Sequence, residues 1–204
     1  MARPKIDVNR AQNIICAAEE LFARYGFERT SIEDIARHLG IGKGSIYLEF
    51  RTKEEILFRI LSGYARSLQE SFEAKVHDHS TSPLATLRQV YIEETISCYD
   101  RVTRDIHSPE TLLHTSISMK RHFADFFMTK RKFLHMLLMR AAEVGEIRKE
   151  KATDEMALAL MMATSALFPP YVDNFSESTT IKNRQDLIDQ VPIVIDLIID
   201  GLRA

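Results

Sequence analysis

The residues best suited to chemistry in this chain lie between Gly40 and Lys53. Gly40-Ile41-Gly42 is a three-residue break, and Lys43-Gly44-Ser45-Ile46-Tyr47-Leu48 after it reads as a short helix. On such a helix Ile46 and Phe50 turn inward, while Lys43, Ser45 and Tyr47 lie on the other side. An ammonium, a hydroxyl and a phenol on one face are groups that hydrogen-bond to base edges and phosphates. Gly44 and Ser45 are small enough for the backbone to come close to a nucleic acid. Lys53 opens the next helix, where backbone N–H groups also point outward, and adds a cation for a phosphate. The same pattern also describes a plain helical corner whose polar residues are merely solvated.

Other chemistries lack a complete set of groups. His77-Asp78-His79 offers metal-ligand types in a loop, but nothing nearby completes a site. His107 and His114 are separated by a proline and meet only if the chain folds back. There is no nucleophile elbow, phosphate loop or HExxH, so no catalytic residue, metal or cofactor is assigned. Cys16 and Cys98 sit in apolar helical patterns and read as buried small hydrophobes. No CxxC and no basic flank argues for a redox pair.

The elements that must position Lys43 and its neighbours are helices throughout. Ile14, Ala18, Leu21, Phe22 and Tyr25 form one apolar stripe, stopped by Gly26. Thr30-Ser31-Ile32-Glu33 reads as a capping box for a second helix that buries Ile32, Ile35, Ala36 and Leu39 and ends at Gly40. Thr52-Lys53-Glu54-Glu55 reads as another, opening a long helix to His77. Two short helices joined by a glycine-containing turn are a helix-turn-helix pattern, whose second helix enters the major groove. Further helices are expected over 84–105, from Pro109, over 118–144, over 154–168 and over 186–202, with Pro192 kinking or delaying the last. The fold class is all-α with about nine helices.

Charge and length agree with this division. The 204 residues carry a net charge of −2, yet residues 1–53 hold nine Lys/Arg against seven Asp/Glu. A mildly basic front precedes an acidic body, which fits nucleic-acid binding without proving it. No run of about 18 apolar residues suggests a membrane span. With no signal-peptide stretch at the N-terminus, a cytoplasmic location is expected.

The run from Thr30 to Ala36, then Gly40 to Glu55, together with Ala18-Glu19-Glu20-Leu21-Phe22 and Tyr25-Gly26-Phe27, closely resembles the tetracycline-repressor (TetR) family of bacterial regulators. The resemblance covers roughly residues 9–65, with Gly42 where the family often has Ser or Thr and Glu49 where His is frequent. It implies a DNA-binding head at 8–68, with the helix-turn-helix at about 31–50, and a ligand-binding and dimerisation body at 69–204. It implies a repressor that binds a palindromic double-stranded operator as a homodimer and is released by a small hydrophobic inducer. Thr30, Ser31, Lys43, Gly44, Ser45, Tyr47 and Lys53 are the expected DNA-binding residues.

In the body, Phe123, Phe126, Phe127, Met136 and Met139 are candidates to line a ligand pocket, with ordinary core packing as the alternative. The last helix is apolar nearly all round, and the segment 158–167 shows the same surplus. Either the two form a deeply buried core pair, or they build a four-helix interface between subunits. The expected interface residues are Leu158, Met162, Ile195, Ile198 and Leu202. A DNA-binding protein without an inducer remains the competing reading of the body.

Overall fold

The computed structural model describes residues 8–105, 124–168 and 184–203. They form eight α-helices: α1 (Val8–Tyr25), α2 (Ile32–Leu39), α3 (Lys43–Tyr47), α4 (Lys53–His77), α5 (Pro83–Asp105), α6 (Ala124–Glu143), α7 (Asp154–Thr164) and α8 (Arg184–Leu202). Short 3-10 turns occur at Lys149–Lys151 and Ser165–Leu167. Among the described residues there is no strand, only an isolated antiparallel bridge between Ile147 and Arg203. The expected helix at Pro109 and the expected pocket residue Phe123 lie outside the described residues.

The chain divides into two compact units, with boundaries inside α4, between Tyr64 and Ala65, and inside α5, between Arg101 and Val102. In the first, Ile14, Ala18 and Phe22 of α1, Ile35 of α2, Ile46 and Phe50 around α3, and Ile56 and Leu57 of α4 are buried. Each large apolar side chain so buried contributes about 1.5–3 kcal/mol of transfer free energy. Gly26 closes α1 with φ +84°, its N–H donating to the Phe22 carbonyl at 2.8 Å. Phe27 then packs its ring edge-on to Phe22, with centroids 5.2 Å apart.

The start of α2 differs from the expected capping box by one residue. Ser31 is the N-cap: its hydroxyl accepts from the Asp34 N–H at 3.2 Å, and the Asp34 carboxylate accepts from the Ser31 N–H at 2.9 Å. Thr30 is buried instead, donating its hydroxyl to the Gly26 carbonyl at 2.8 Å. Gly40 ends the helix at φ +66°, a conformation that a residue with a Cβ rarely adopts. At α4 the second cap forms as expected, Thr52 Oγ1 accepting from the Glu55 N–H at 3.1 Å. The Glu55 carboxylate reaches one residue further back, to the Arg51 N–H at 2.8 Å.

The second unit is a bundle built from the rest of α4, α5 as far as Arg101, and α6 to α8. One continuous core joins Phe72 and Val76, Leu87 and Tyr91, Leu134, Leu137 and Leu138, Ala157 and Leu160, and Leu187, Val191 and Ile195. Polar fasteners hold its edges. Arg140 Nη1 donates to the Val76 carbonyl at 2.6 Å, and the Leu84 N–H donates to Glu146 Oε2 at 2.9 Å. Lys151 Nζ donates to the carbonyls of Gly201 (2.7 Å), Leu202 (3.1 Å) and Arg203 (3.1 Å), a cation on the negative end of α8.

Several expectations for this unit change. Pro192 neither delays nor breaks α8, which begins at Arg184 and continues through it. Ile195 and Leu202 belong to the core, only 1% and 4% exposed, and so are not free to form an interface. Cys16, in the first unit, is exposed rather than buried, and Cys98 is half-buried.

Candidate nucleic-acid interface

In the first unit α2 contacts both α1 and α3, the bracing a helix-turn-helix requires. Helix α3 is only five residues long, so its position depends on anchors rather than on its own hydrogen bonds. Ile46 (0% exposed) and Phe50 (4%) supply them. Gly42 caps it without a side-chain bond, and the Ser45 N–H donates to the Gly42 carbonyl at 2.9 Å. With that side fixed, Lys43, Gly44 and Tyr47 are exposed and Ser45 is half-exposed. Four of the expected residues therefore share the free surface of one helix.

Two of the expected cations are already engaged. Lys43 Nζ lies 2.7 Å from Glu33 Oε2 on α2. The hydrogen bond and charge of Glu33 raise the Lys43 pKa, and Lys43 lowers that of Glu33 in return. Lys53 Nζ donates to the Phe27 carbonyl at 2.7 Å and to that of Glu28 at 3.4 Å, and sits 4.2 Å from the Phe27 ring centroid. Its ammonium thus ties the turn after α1 to the start of α4. Thr30 is buried below the surface, whereas Ser31 is exposed at the front of α2.

Residues beyond those expected from the sequence are also exposed on the first unit. Leu48, directly after α3, is 71% exposed, an apolar side chain beside Tyr47 with no core to fill. Its signal was its phase, two residues from both inward anchors, Ile46 and Phe50. Arg24, Arg29 and Arg37 line one shallow cleft with Tyr25, Thr30 and His38. That cleft gathers positive charge from α1, α2 and the turn between them, although Arg37 also pairs with Asp34 at 3.0 Å.

Residues 14–60 match the family described as "Bacterial regulatory proteins, tetR family". That segment, within the first unit, is what the chain shares with the tetR family. Along nearly its whole length it is similar to the uncharacterised HTH-type transcriptional regulator YezE of Bacillus subtilis, 26% identical over 90% of this chain and 94% of that one. Its fold is that of a TetR/AcrR regulator from Thermobifida fusca, with a TM-score of 0.63, 23% identity and coverage of 96% and 100%. It is also that of SmeT of Stenotrophomonas maltophilia, solved with triclosan, with a TM-score of 0.67, 20% identity and coverage of 96% and 92%. With this segment and these relatives, the chain is a DNA-binding transcriptional regulator.

The second unit holds a cavity of about 140 Å³ lined by parts of α4, α5 and α6. Of the expected pocket residues Phe126 lines it, together with Phe133 and Lys130, while Phe127, Met136 and Met139 are 42–46% exposed. Helical phase explains the difference. At about 100° per residue, Phe126, Lys130, Phe133 and Leu137 fall on one face, with Phe127 and Met136 about a quarter turn to either side and Met139 roughly opposite. Lys130 and Glu94 form a buried ion pair, Nζ 2.8 Å and 2.6 Å from the two carboxylate oxygens. Among the described residues no group of three or more His, Cys, Asp or Glu could hold a metal. No described helix is long and apolar enough to cross a membrane.

Proposed function

We propose that this regulator is a repressor that binds a palindromic operator as a homodimer and is released by a small hydrophobic ligand. The observation that carries the reading is the division of labour in α3, where Ile46 and Phe50 are sealed inside and Lys43, Tyr47 and Leu48 are presented. Lys43 and Ser45 at the front of the helix read bases, Tyr47 and Ser31 hold phosphates, and Gly44 allows the close approach. Residues 8–68 act as the DNA-binding domain and 69–204 as the sensing and dimerisation domain. The regulator works in the cytoplasm, where its operator is, and catalyses nothing.

A two-fold operator calls for two heads held at a fixed spacing. Leu158 (39% exposed) and Met162 (68%) on α7, and Ile193 (55%) and Leu197 (70%) on α8, are apolar side chains the subunit leaves uncovered. Each pair is four residues apart, one stripe on one helix face. With half-buried Ile198 they form the proposed dimer surface, which exposed apolar stripes of this kind favour. The ligand reading is supported by the cavity beside Glu94 and Lys130, and by SmeT, a repressor solved with a small molecule.

The test is selection from a random duplex pool followed by titration of the selected site. A two-fold site bound by two chains supports the proposal. A site without symmetry, or binding by one chain, opposes it.

A further inference from the structure

Within the second unit, the cavity between α4, α5 and α6 has apolar walls from Phe72, Phe126 and Phe133 and a polar wall from Glu94 and Lys130. Phe72 and Phe133 meet edge to face, centroids 5.6 Å apart. Its volume, about 140 Å³, matches a single aromatic ring, since an apolar cavity of about 150 Å³ admits benzene. The two polar side chains are only 7% and 11% exposed. A buried ion pair adds little stability over apolar residues of the same size, so packing alone gives no reason for one on a cavity wall.

The charges at this site are matched. Lys130 bonds both oxygens of Glu94, and Lys75 pairs with Glu93 nearer the solvent. A ligand with net charge would leave water without an unpaired counter-charge to receive it. A hydroxyl avoids that cost. It can donate to a Glu94 oxygen, which keeps lone pairs beyond those used by Lys130, and accept from the remaining Lys130 N–H. The ammonium is already held in place by the rings of Phe168, 4.7 Å away, and Tyr91, 5.0 Å away.

Resting on the reading of this unit as the sensing part, we propose that the cavity binds an uncharged single-ring aromatic bearing a hydroxyl, anchored by Glu94 and Lys130. Phenol is the simplest such probe. In titrations of the full chain at pH 7, phenol binds, and benzoate and benzylammonium bind at least tenfold more weakly. Glu94→Gln weakens phenol binding by about tenfold or more, as expected for one charge-assisted hydrogen bond. If that variant does not fold, Leu68→Trp decides, because it narrows the cavity and leaves the ion pair intact; phenol affinity then falls at least tenfold. No phenol binding, equal binding of either charged probe, or unchanged phenol affinity in Leu68→Trp overturns the assignment. Operator release is read separately. Phenol bound without release leaves this site standing and overturns the release reading. Release by another molecule with no phenol binding overturns this assignment alone.

Discussion

Lys43 at the front of α3 is held 2.7 Å from Glu33 of α2, so the foremost cation of the recognition helix is neutralised before DNA arrives. Both side chains are more than half exposed, and the pair is therefore screened and readily exchanged. A phosphate or a guanine edge must compete with Glu33 for the ammonium. Once the exchange is made, the Glu33 carboxylate is left facing a polyanion.

Glu33→Gln should accordingly strengthen DNA binding, by about two- to fivefold for an exposed pair. Lys43→Ala should weaken it and shift the base preference at one position. Fluorescence anisotropy at several salt concentrations checks both. An unchanged affinity in Glu33→Gln would show that Lys43 does not leave its partner on binding.

Lys53 should behave differently from Lys43. Its ammonium holds the Phe27 and Glu28 carbonyls, so Lys53→Met should cost stability, about 1–3 kcal/mol for a hydrogen-bonded charge. The slope of log affinity against log salt should hardly change. A slope lowered by about one unit with stability intact would place the ammonium on a phosphate instead.

The order of the first helices and the inward Ile14, Ala18, Phe22, Ile35, Ile46 and Phe50 are legible because each local signal agrees with its neighbours, whereas Tyr25 and Cys16, on the same helix, are exposed. Ile46 and Phe50 could go nowhere but inside once Gly40 and Gly42 flanked the turn. The α2 cap was ambiguous for a physical reason. Thr30 and Ser31 both carry hydroxyls, and Glu33 and Asp34 both carry carboxylates, so two registers satisfy the same pattern. In α6 and α8 apolar residues occur all round the helix, and periodicity then has no contrast to read. That is why the pattern places Met136 inward although it is exposed, and Ile195 in an interface although it is in the core.

The exposed stripes on α7 and α8 give a cleaner test of dimerisation than a core position would. Leu197 is 70% exposed in one subunit, so Leu197→Glu should leave the isolated fold intact. In a buried interface the same carboxylate costs several kcal/mol. Sedimentation should therefore find a folded monomer with reduced operator affinity. A stable dimer in Leu197→Glu and in Met162→Glu would move the interface elsewhere.

The two cysteines should separate by reactivity. Cys16 is exposed on α1, whereas burial pushes the Cys98 thiol up to about 12, with Glu94 adding to the shift. A thiol reagent at pH 8 should label one cysteine in the native chain and two in denaturant. An unfolded thiol ionises near about 8.5. Since the folded thiol keeps its proton to about 12, stability is unaffected below about 8.5 and declines as pH rises between these values. Rapid labelling of both thiols in the native chain would contradict the burial of the Cys98 sulfur.

The central claim is that α3 reads DNA through the side chains it exposes opposite Ile46 and Phe50. It is tested most directly by selecting duplexes from a random pool with the wild-type chain and with Lys43→Ala, Ser45→Ala and Leu48→Ala. The wild type should enrich one two-fold site, and each variant should relax a different base position, at about 1–3 kcal/mol per lost contact. Enrichment of the identical site by all four proteins, or of no site by the wild type, would contradict it.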